Sequence, residues 1–233
     1  MPIANALKIS VNIGAVLKFS TLDYPGKLSA VIFCQGCSNN CVYCHNPDFI
    51  PVKTNSAVSF DKIMDFLQTR RGLLEAVVFS GGDPLIQNDL YNAMLQIKPM
   101  GFLVGLHTSG VNPKRLREII DITDWIGFDI KTTFEKYETI TRNKISAQLA
   151  KESLDIILKS NVAYEIRTTV DSRYITFEDL ECIAKSLKGL GIQKWVLQEC
   201  ILRSKEGEQK LSLPNTDEIE QLKKYIEVEV RYQ

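Results

Sequence analysis

Residues 76–84 read Ala-Val-Val-Phe-Ser-Gly-Gly-Asp-Pro. Four apolar residues in succession do not alternate as a half-exposed strand would. They suit a strand covered on both faces. Gly81 and Gly82 then stop the run, and two glycines let a backbone take positive φ or approach a neighbour closely. Read alone, the segment is also compatible with an ordinary strand-ending turn. Further strand candidates lie at Ala30–Cys34, Phe102–His107, Trp125–Ile130, Ala163–Val170 and Lys194–Glu199.

Amphipathic stretches separate these runs. Ser59–Gln68 begins with a potential serine cap and carries Phe60, Ile63, Met64 and Leu67 at helical spacing. Asp89–Lys98, Pro113–Asp121, Ser146–Lys159, Thr176–Leu190 and Thr216–Ile226 follow. Asn112 before Pro113 reads as a cap with a first-turn proline. Thr176 and Asp179 read as a capping box with Asp in place of Glu. Six strand-then-helix units predict an α/β fold with a parallel sheet and right-handed crossovers. Six units are too few to close an eight-unit barrel, so the expectation is an open, partial (βα)6 barrel. One domain is expected, with a βα core over residues 29–200, an extension over 1–28 and a C-terminal segment over 201–233. Within the extension, Leu7–Phe19 is expected to form a short hairpin outside the core.

In such sheets the active site lies at the carboxyl ends of the strands. Cys37–Cys44, Ser80–Pro84, His107–Gly110 and Asp129–Lys131 all fall there.

Composition sets the class. The chain has 233 residues, 45% hydrophobic and 24% charged, ordinary for a globular enzyme. Lys plus Arg and Asp plus Glu balance at 28 each, which argues against bulk nucleic-acid binding. No apolar run reaches the roughly 18 residues that a membrane span needs. Residues 1–14 carry one lysine and no long apolar stretch, so they do not read as a signal peptide. A cytoplasmic protein with no nucleic-acid or membrane partner is expected.

Four of the six cysteines lie between Cys34 and Cys44. In a cytosolic chain such crowding points to metal or redox chemistry. Thiolates on one loop can wrap an iron–sulfur cluster. Two triads are available: Cys37, Cys41, Cys44, or Cys34, Cys37, Cys41. A four-cysteine zinc site is the competing reading, although zinc ligands usually come as two separated pairs. Cys182 and Cys200 read as buried small hydrophobes.

The spacing of Cys37, Cys41 and Cys44, with Tyr43 before the last, resembles the radical S-adenosylmethionine superfamily. The resemblance implies a [4Fe–4S] cluster on those three thiolates, with Cys34 outside the set. It implies S-adenosylmethionine (SAM) bound to the fourth iron, and a one-electron cleavage to a 5′-deoxyadenosyl radical that abstracts hydrogen. Gly81-Gly82-Asp83-Pro84 resembles the superfamily's Gly-Gly-Glu-Pro motif for the methionine amino group, with the acid one methylene shorter. His107-Thr108-Ser109-Gly110 resembles Asp-Thr-Asn-Gly, and Asp129-Ile130-Lys131 resembles an Asp-x-Lys segment. Arg167 matches a strand arginine. The implied SAM contacts are therefore Tyr43, Gly81, Gly82, Asp83, Thr108, Ser109, Asp129, Lys131 and Arg167. Some members hold a monovalent cation near these acids; here His107 stands in place of the first. Read without the resemblance, His107 is equally a satisfied buried histidine and Arg167 a structural ion pair.

Asp23-Tyr24-Pro25-Gly26-Lys27, Phe33-x-Gln35-Gly36-Cys37 and Tyr43-Cys44-His45-Asn46-Pro47 resemble glycyl-radical enzyme activating proteins. They look most like those serving anaerobic ribonucleoside-triphosphate reductase. The resemblance runs from about Val16 to Gln198. It implies a glycyl-radical enzyme as partner and a flavodoxin- or ferredoxin-type electron donor. The alternatives are an activator of pyruvate formate-lyase or another glycyl-radical enzyme, and a small-molecule enzyme such as 7-carboxy-7-deazaguanine synthase. A non-catalytic electron-transfer or metal-binding module is the third reading.

Overall fold

The apolar runs become strands because alternate residues enter two different cores. The structure, a computed structural model, describes residues 9–204 and 207–232. Its main strands are β1 (Ile13–Ser20), β2 (Ser29–Cys34), β3 (Ala76–Gly81), β4 (Leu103–Thr108), β5 (Trp125–Asp129), β6 (Ala163–Val170) and β7 (Lys194–Glu199). A hairpin of β8 (Ile201–Ser204) and β9 (Gly207–Lys210) follows, and β10 (Glu227–Arg231) closes the order. The helices are α1 (Phe60–Gln68), α2 (Leu90–Ile97), α3 (Pro113–Ile119), α4 (Tyr137–Thr141), α5 (Ser146–Lys159), α6 (Phe177–Gly189) and α7 (Thr216–Lys223).

Along β2, Ala30, Ile32 and Cys34 join the large core shared with Ile63, Leu67 and Met94 of the helices. Val31 and Phe33, between them, join a smaller core with Tyr24, Val78 and Trp125. Helices thus cover one face, and the other is filled locally by the loop that follows β1. A strand buried on both sides has no polar position to spare, which is why these segments read as unbroken apolar runs. Phe79 is fully buried, and truncating such a side chain to Ala would cost about 3–5 kcal/mol.

The sheet order is β1-β2-β3-β4-β5-β6-β7-β10. From β2 onward every pairing is parallel, while β1 pairs antiparallel with β2. The sheet stays open between its two edges, β1 and β10, as expected for a partial barrel. The predicted helix signals are present. Ser59 caps α1, Asn112 accepts from the Arg115 amide, and Thr176 with Asp179 forms the capping box.

Three expectations are corrected. The N-terminal stretch is no separate hairpin: β1 is an edge of the main sheet, its register with β2 broken by two irregularities. Residues 7 and 8 of that expectation lie outside the described residues. The last helix stops at Lys223, because the chain must turn at Tyr225 and Ile226 to enter β10, a seventh parallel strand. Cys182 is exposed on α6, whereas Cys200 is buried as expected.

Candidate active site

The carboxyl ends of the parallel strands surround a cavity of about 470 Å³, within the range of ligand pockets. Its first wall is the cysteine loop that leaves β2. Hydrogen bonds pin this loop at both ends. The amides of Gly36 and Cys37 donate to the Phe49 and Ile50 carbonyls (2.7 and 3.1 Å). The amides of Asn40 and Val42 donate to Thr141 and Ile140 at the end of α4 (2.8 and 3.0 Å). Cys37, Cys41 and Cys44 are each partly exposed and all line the cavity. Burial, then the charge of Asp83, pushes the Cys37 thiol up to about 12, and burial also raises Cys41. Iron takes thiolates, so loading this loop must release protons.

Cys34 faces the helix-side core, fully buried. That separates the two triads left open by spacing: Cys37, Cys41 and Cys44 share the cavity. Among the described residues, no three Cys, His, Asp or Glu side chains converge as the ligands of a single ion would. Three thiols spread along one loop suit a multi-iron cluster, which takes each thiolate at a separate iron.

The Gly-Gly-Asp segment abuts that loop. The Gly82 amide donates to the Cys34 carbonyl and the Asp83 amide to the Gly36 carbonyl, both at 2.9 Å. A Cβ on Gly82 would lie 2.1 Å from the Gly36 oxygen, so only glycine fits. The Asp83 carboxylate is 1% exposed and accepts from four donors. They are the Leu85 amide (3.1 Å), the Thr108 hydroxyl (2.8 Å), the Ser109 amide (3.0 Å) and the Ser109 hydroxyl (3.1 Å). Burial raises its pKa against these bonds, which lower it. Asp83 is thereby a clamp between the ends of β3 and β4, and Thr108 and Ser109 are held by it.

Across the cavity, Asp129 lies between two cations. Lys131 Nζ is 3.0 Å from one oxygen and Arg167 Nε is 3.0 Å from the other. Burial would raise the Asp129 pKa, but Lys131 and then Arg167 hold it well below the carboxylate range. The Tyr43 hydroxyl donates to the Lys131 carbonyl (3.3 Å), and the Tyr43 ring packs with Ile140, Cys200 and Leu211. His107 Nε2 is 2.8 Å from the Asp23 carbonyl, which only accepts, so Nε2 carries the proton and Nδ1 accepts from Ser80 Oγ at 3.2 Å. Burial, then Arg167, lowers its pKa to about 3, so the ring is neutral.

All the expected site residues line this one cavity. The sequence reading missed Leu22, Asn39, Gln198, Arg231 and Tyr232, which line it too. Gln198 was within reach of the strand-end rule. Arg231 and Tyr232 were hidden because β10 was not recognised.

The family model of the radical SAM superfamily matches residues 31–197. The chain belongs to the radical SAM superfamily. Members use a [4Fe–4S] cluster and SAM, and the donor set of this radical SAM chain fits them: three thiols, a glycine-lined segment and buried cations. It is 32% identical over 234 residues to a candidate glycyl-radical enzyme activating enzyme of Methanocaldococcus jannaschii, covering 92% of this chain and 93% of that one. It is 29% identical over 124 residues to the pyruvate formate-lyase-activating enzyme of Clostridium pasteurianum, covering 51% of this chain and only 52% of that one. Its relatives thus place it with the glycyl-radical enzyme activating enzymes. A solved structure, Streptococcus suis SuiB bound to S-adenosylmethionine, shares the fold at a TM-score of 0.64 and 9% identity, over 85% of this chain and 48% of that one. No helix among the described residues is long and apolar enough to cross a membrane.

Proposed function

We propose that this chain reductively cleaves SAM and generates a glycyl radical on a partner enzyme, the anaerobic ribonucleoside-triphosphate reductase. The observation that carries the reading is the single cavity shared by Cys37, Cys41, Cys44, the Gly81–Asp83 segment and the Asp129–Lys131–Arg167 cluster. When bound, the cluster and SAM supply a one-electron cleavage of the sulfonium and take one hydrogen atom from the substrate, leaving methionine and 5′-deoxyadenosine. The electron comes from a flavodoxin- or ferredoxin-type donor.

The chain's own residues hold and orient. Cys37, Cys41 and Cys44 are the cluster ligands. Gly81, Gly82 and the backbone at Asp83 line the end nearest the cysteines, where the methionyl ammonium is bound. Lys131 and Arg167 supply positive charge for its carboxylate, and Tyr43, Thr108 and Ser109 shape the walls. The partner presents a glycine because no side chain shields its Cα. Leu22, 80% exposed, and Tyr232, 71% exposed, stand where the cavity meets solvent and leave an opening for a flexible loop. Such a loop is ordered on binding, so association is weak and transient.

The test mixes reduced protein, SAM and the reductase, then records electron paramagnetic resonance. A doublet on the reductase, lost when its target glycine becomes alanine, supports the reading. The same signal on pyruvate formate-lyase alone moves the partner to the alternative that the Clostridium pasteurianum relative favours. SAM cleavage with no radical on either partner contradicts the activating role.

A further inference from the structure

The corner of the cavity beneath Asp129 and His107 is where the resemblance would put a monovalent cation between two acids. The residues present do not fit one. Both Asp129 oxygens accept from fixed donors, Lys131 Nζ and Arg167 Nε. The Gly127 carbonyl, two residues back on β5, accepts from Arg167 Nη2 at 3.3 Å. This arrangement depends on Gly127, since a Cβ there would stand 2.7 Å from the guanidinium carbon. Arg167 therefore lies flat over the strand, 7% exposed. The place of the first acid is taken by a neutral His107, whose two ring nitrogens are spent on the Asp23 carbonyl and Ser80. The ring also meets Trp125 edge-on at 5.6 Å. Another carboxylate near the ring, Asp23, has Oδ2 bonded to Ser20 Oγ and Oδ1 at 3.9 Å from His107 Nδ1.

We infer that SAM binding and cleavage in this chain need no monovalent cation: His107, standing where the resemblance puts the first acid, has both ring nitrogens spent, and both oxygens of Asp129 already accept from Lys131 and Arg167. His107 instead ties the end of β4 to the loop around Asp23 that borders the cavity mouth. The inference rests on reading this cavity as the SAM site.

Two measurements test it. Cluster-free protein is titrated with sodium chloride while the sodium NMR line width is followed. The wild type should show no saturable broadening, and His107→Asp, which restores an acid facing Asp129, should show broadening that potassium competes away. Separately, reconstituted enzyme is assayed for SAM affinity and 5′-deoxyadenosine formation in sodium, potassium and tetramethylammonium salts at equal ionic strength. A bound, coupled ion would change these by about fivefold or more; the wild type should stay below that, and His107→Asp should exceed it. Arg167→Gln, which removes the resident charge and keeps much of the volume, serves if His107→Asp does not fold. Saturable sodium broadening on the wild type, or a fivefold loss of wild-type activity in tetramethylammonium, overturns the inference. The ion titration needs neither cluster nor SAM. Absence of cleavage in every salt would sink the functional reading and leave the ion question answered.

Discussion

The amide of Ser109 donates to the Asp83 carboxylate at 3.0 Å, joining the ends of β3 and β4, 26 residues apart in the chain. Together with Thr108 and Leu85, it makes a side chain that the motif suggested as a direct ligand contact into a buried structural clamp. Removing the carboxylate would strand several buried donors, each costing about 1–3 kcal/mol. Asp83→Ala should therefore lower the urea-unfolding free energy of the cluster-free protein by about 3 kcal/mol and weaken SAM binding as well. Asp83→Glu, although it restores the commoner acid, should also destabilise, by about 1–3 kcal/mol, because the extra methylene moves the carboxylate off donors placed for the shorter side chain. Unchanged stability in both variants would return Asp83 to a ligand-contact role.

Gly82 makes a sharper prediction. Its missing Cβ leaves room for the Gly36 carbonyl, next to Cys37, and for the Phe49 carbonyl, 2.6 Å from where the Cβ would be. Gly82→Val should therefore displace the cysteine loop itself. Iron and sulfide after anaerobic reconstitution should fall along with SAM affinity. Full iron content with reduced SAM binding would mean that the loop tolerates the side chain and that Gly82 faces only the ligand.

Acid stability follows from His107 and Asp129. The His107 ring is held at about 3, while an unfolded histidine titrates near about 6.5. Below that value the unfolded chain binds the extra proton, so stability declines as pH drops from about 6.5 toward 3. Asp129 adds its effect lower: its ion pairs contribute fully above about pH 4 and are lost as pH falls below it. Urea midpoints of cluster-free protein should decrease from about pH 7 to 4, and His107→Gln should flatten that decline. An identical slope in the variant would contradict a neutral buried His107.

Much of this was legible because local signals and the global fold agree. The apolar runs at Ala163–Val170 and Lys194–Glu199, the helix Ser146–Lys159 and the Thr176–Asp179 capping box are found with their expected bounds. The strand-end rule placed the cysteine loop, Gly81–Asp83, Thr108 and Asp129 around one cavity. What was missed lay at the edges. β10 reads Glu-Val-Glu-Val-Arg, the alternation of a strand with one covered face, yet the sequence reading placed no element there, beyond a helix expected to end at Ile226. Arg231, paired with Glu165 at 3.0 Å, and Tyr232 were lost with it. β1 was misplaced because its pairing with β2 is a tertiary fact that Leu17, Lys18 and Phe19, all exposed, do not advertise. The Asp83 clamp was invisible for the same reason: three of its four donors belong to Thr108 and Ser109, at the end of a different strand.

The central claim is that Cys37, Cys41 and Cys44 hold a cluster that cleaves SAM, with Cys34 outside it. The most direct measurement is 5′-deoxyadenosine formation by anaerobically reconstituted, reduced protein and its four single Cys→Ala variants, with iron and sulfide determined on the same samples. Turnover and cluster are expected in the wild type and in Cys34→Ala, with loss of both at positions 37, 41 and 44. Turnover that survives in Cys44→Ala, or a cluster lost only in Cys34→Ala, would contradict it.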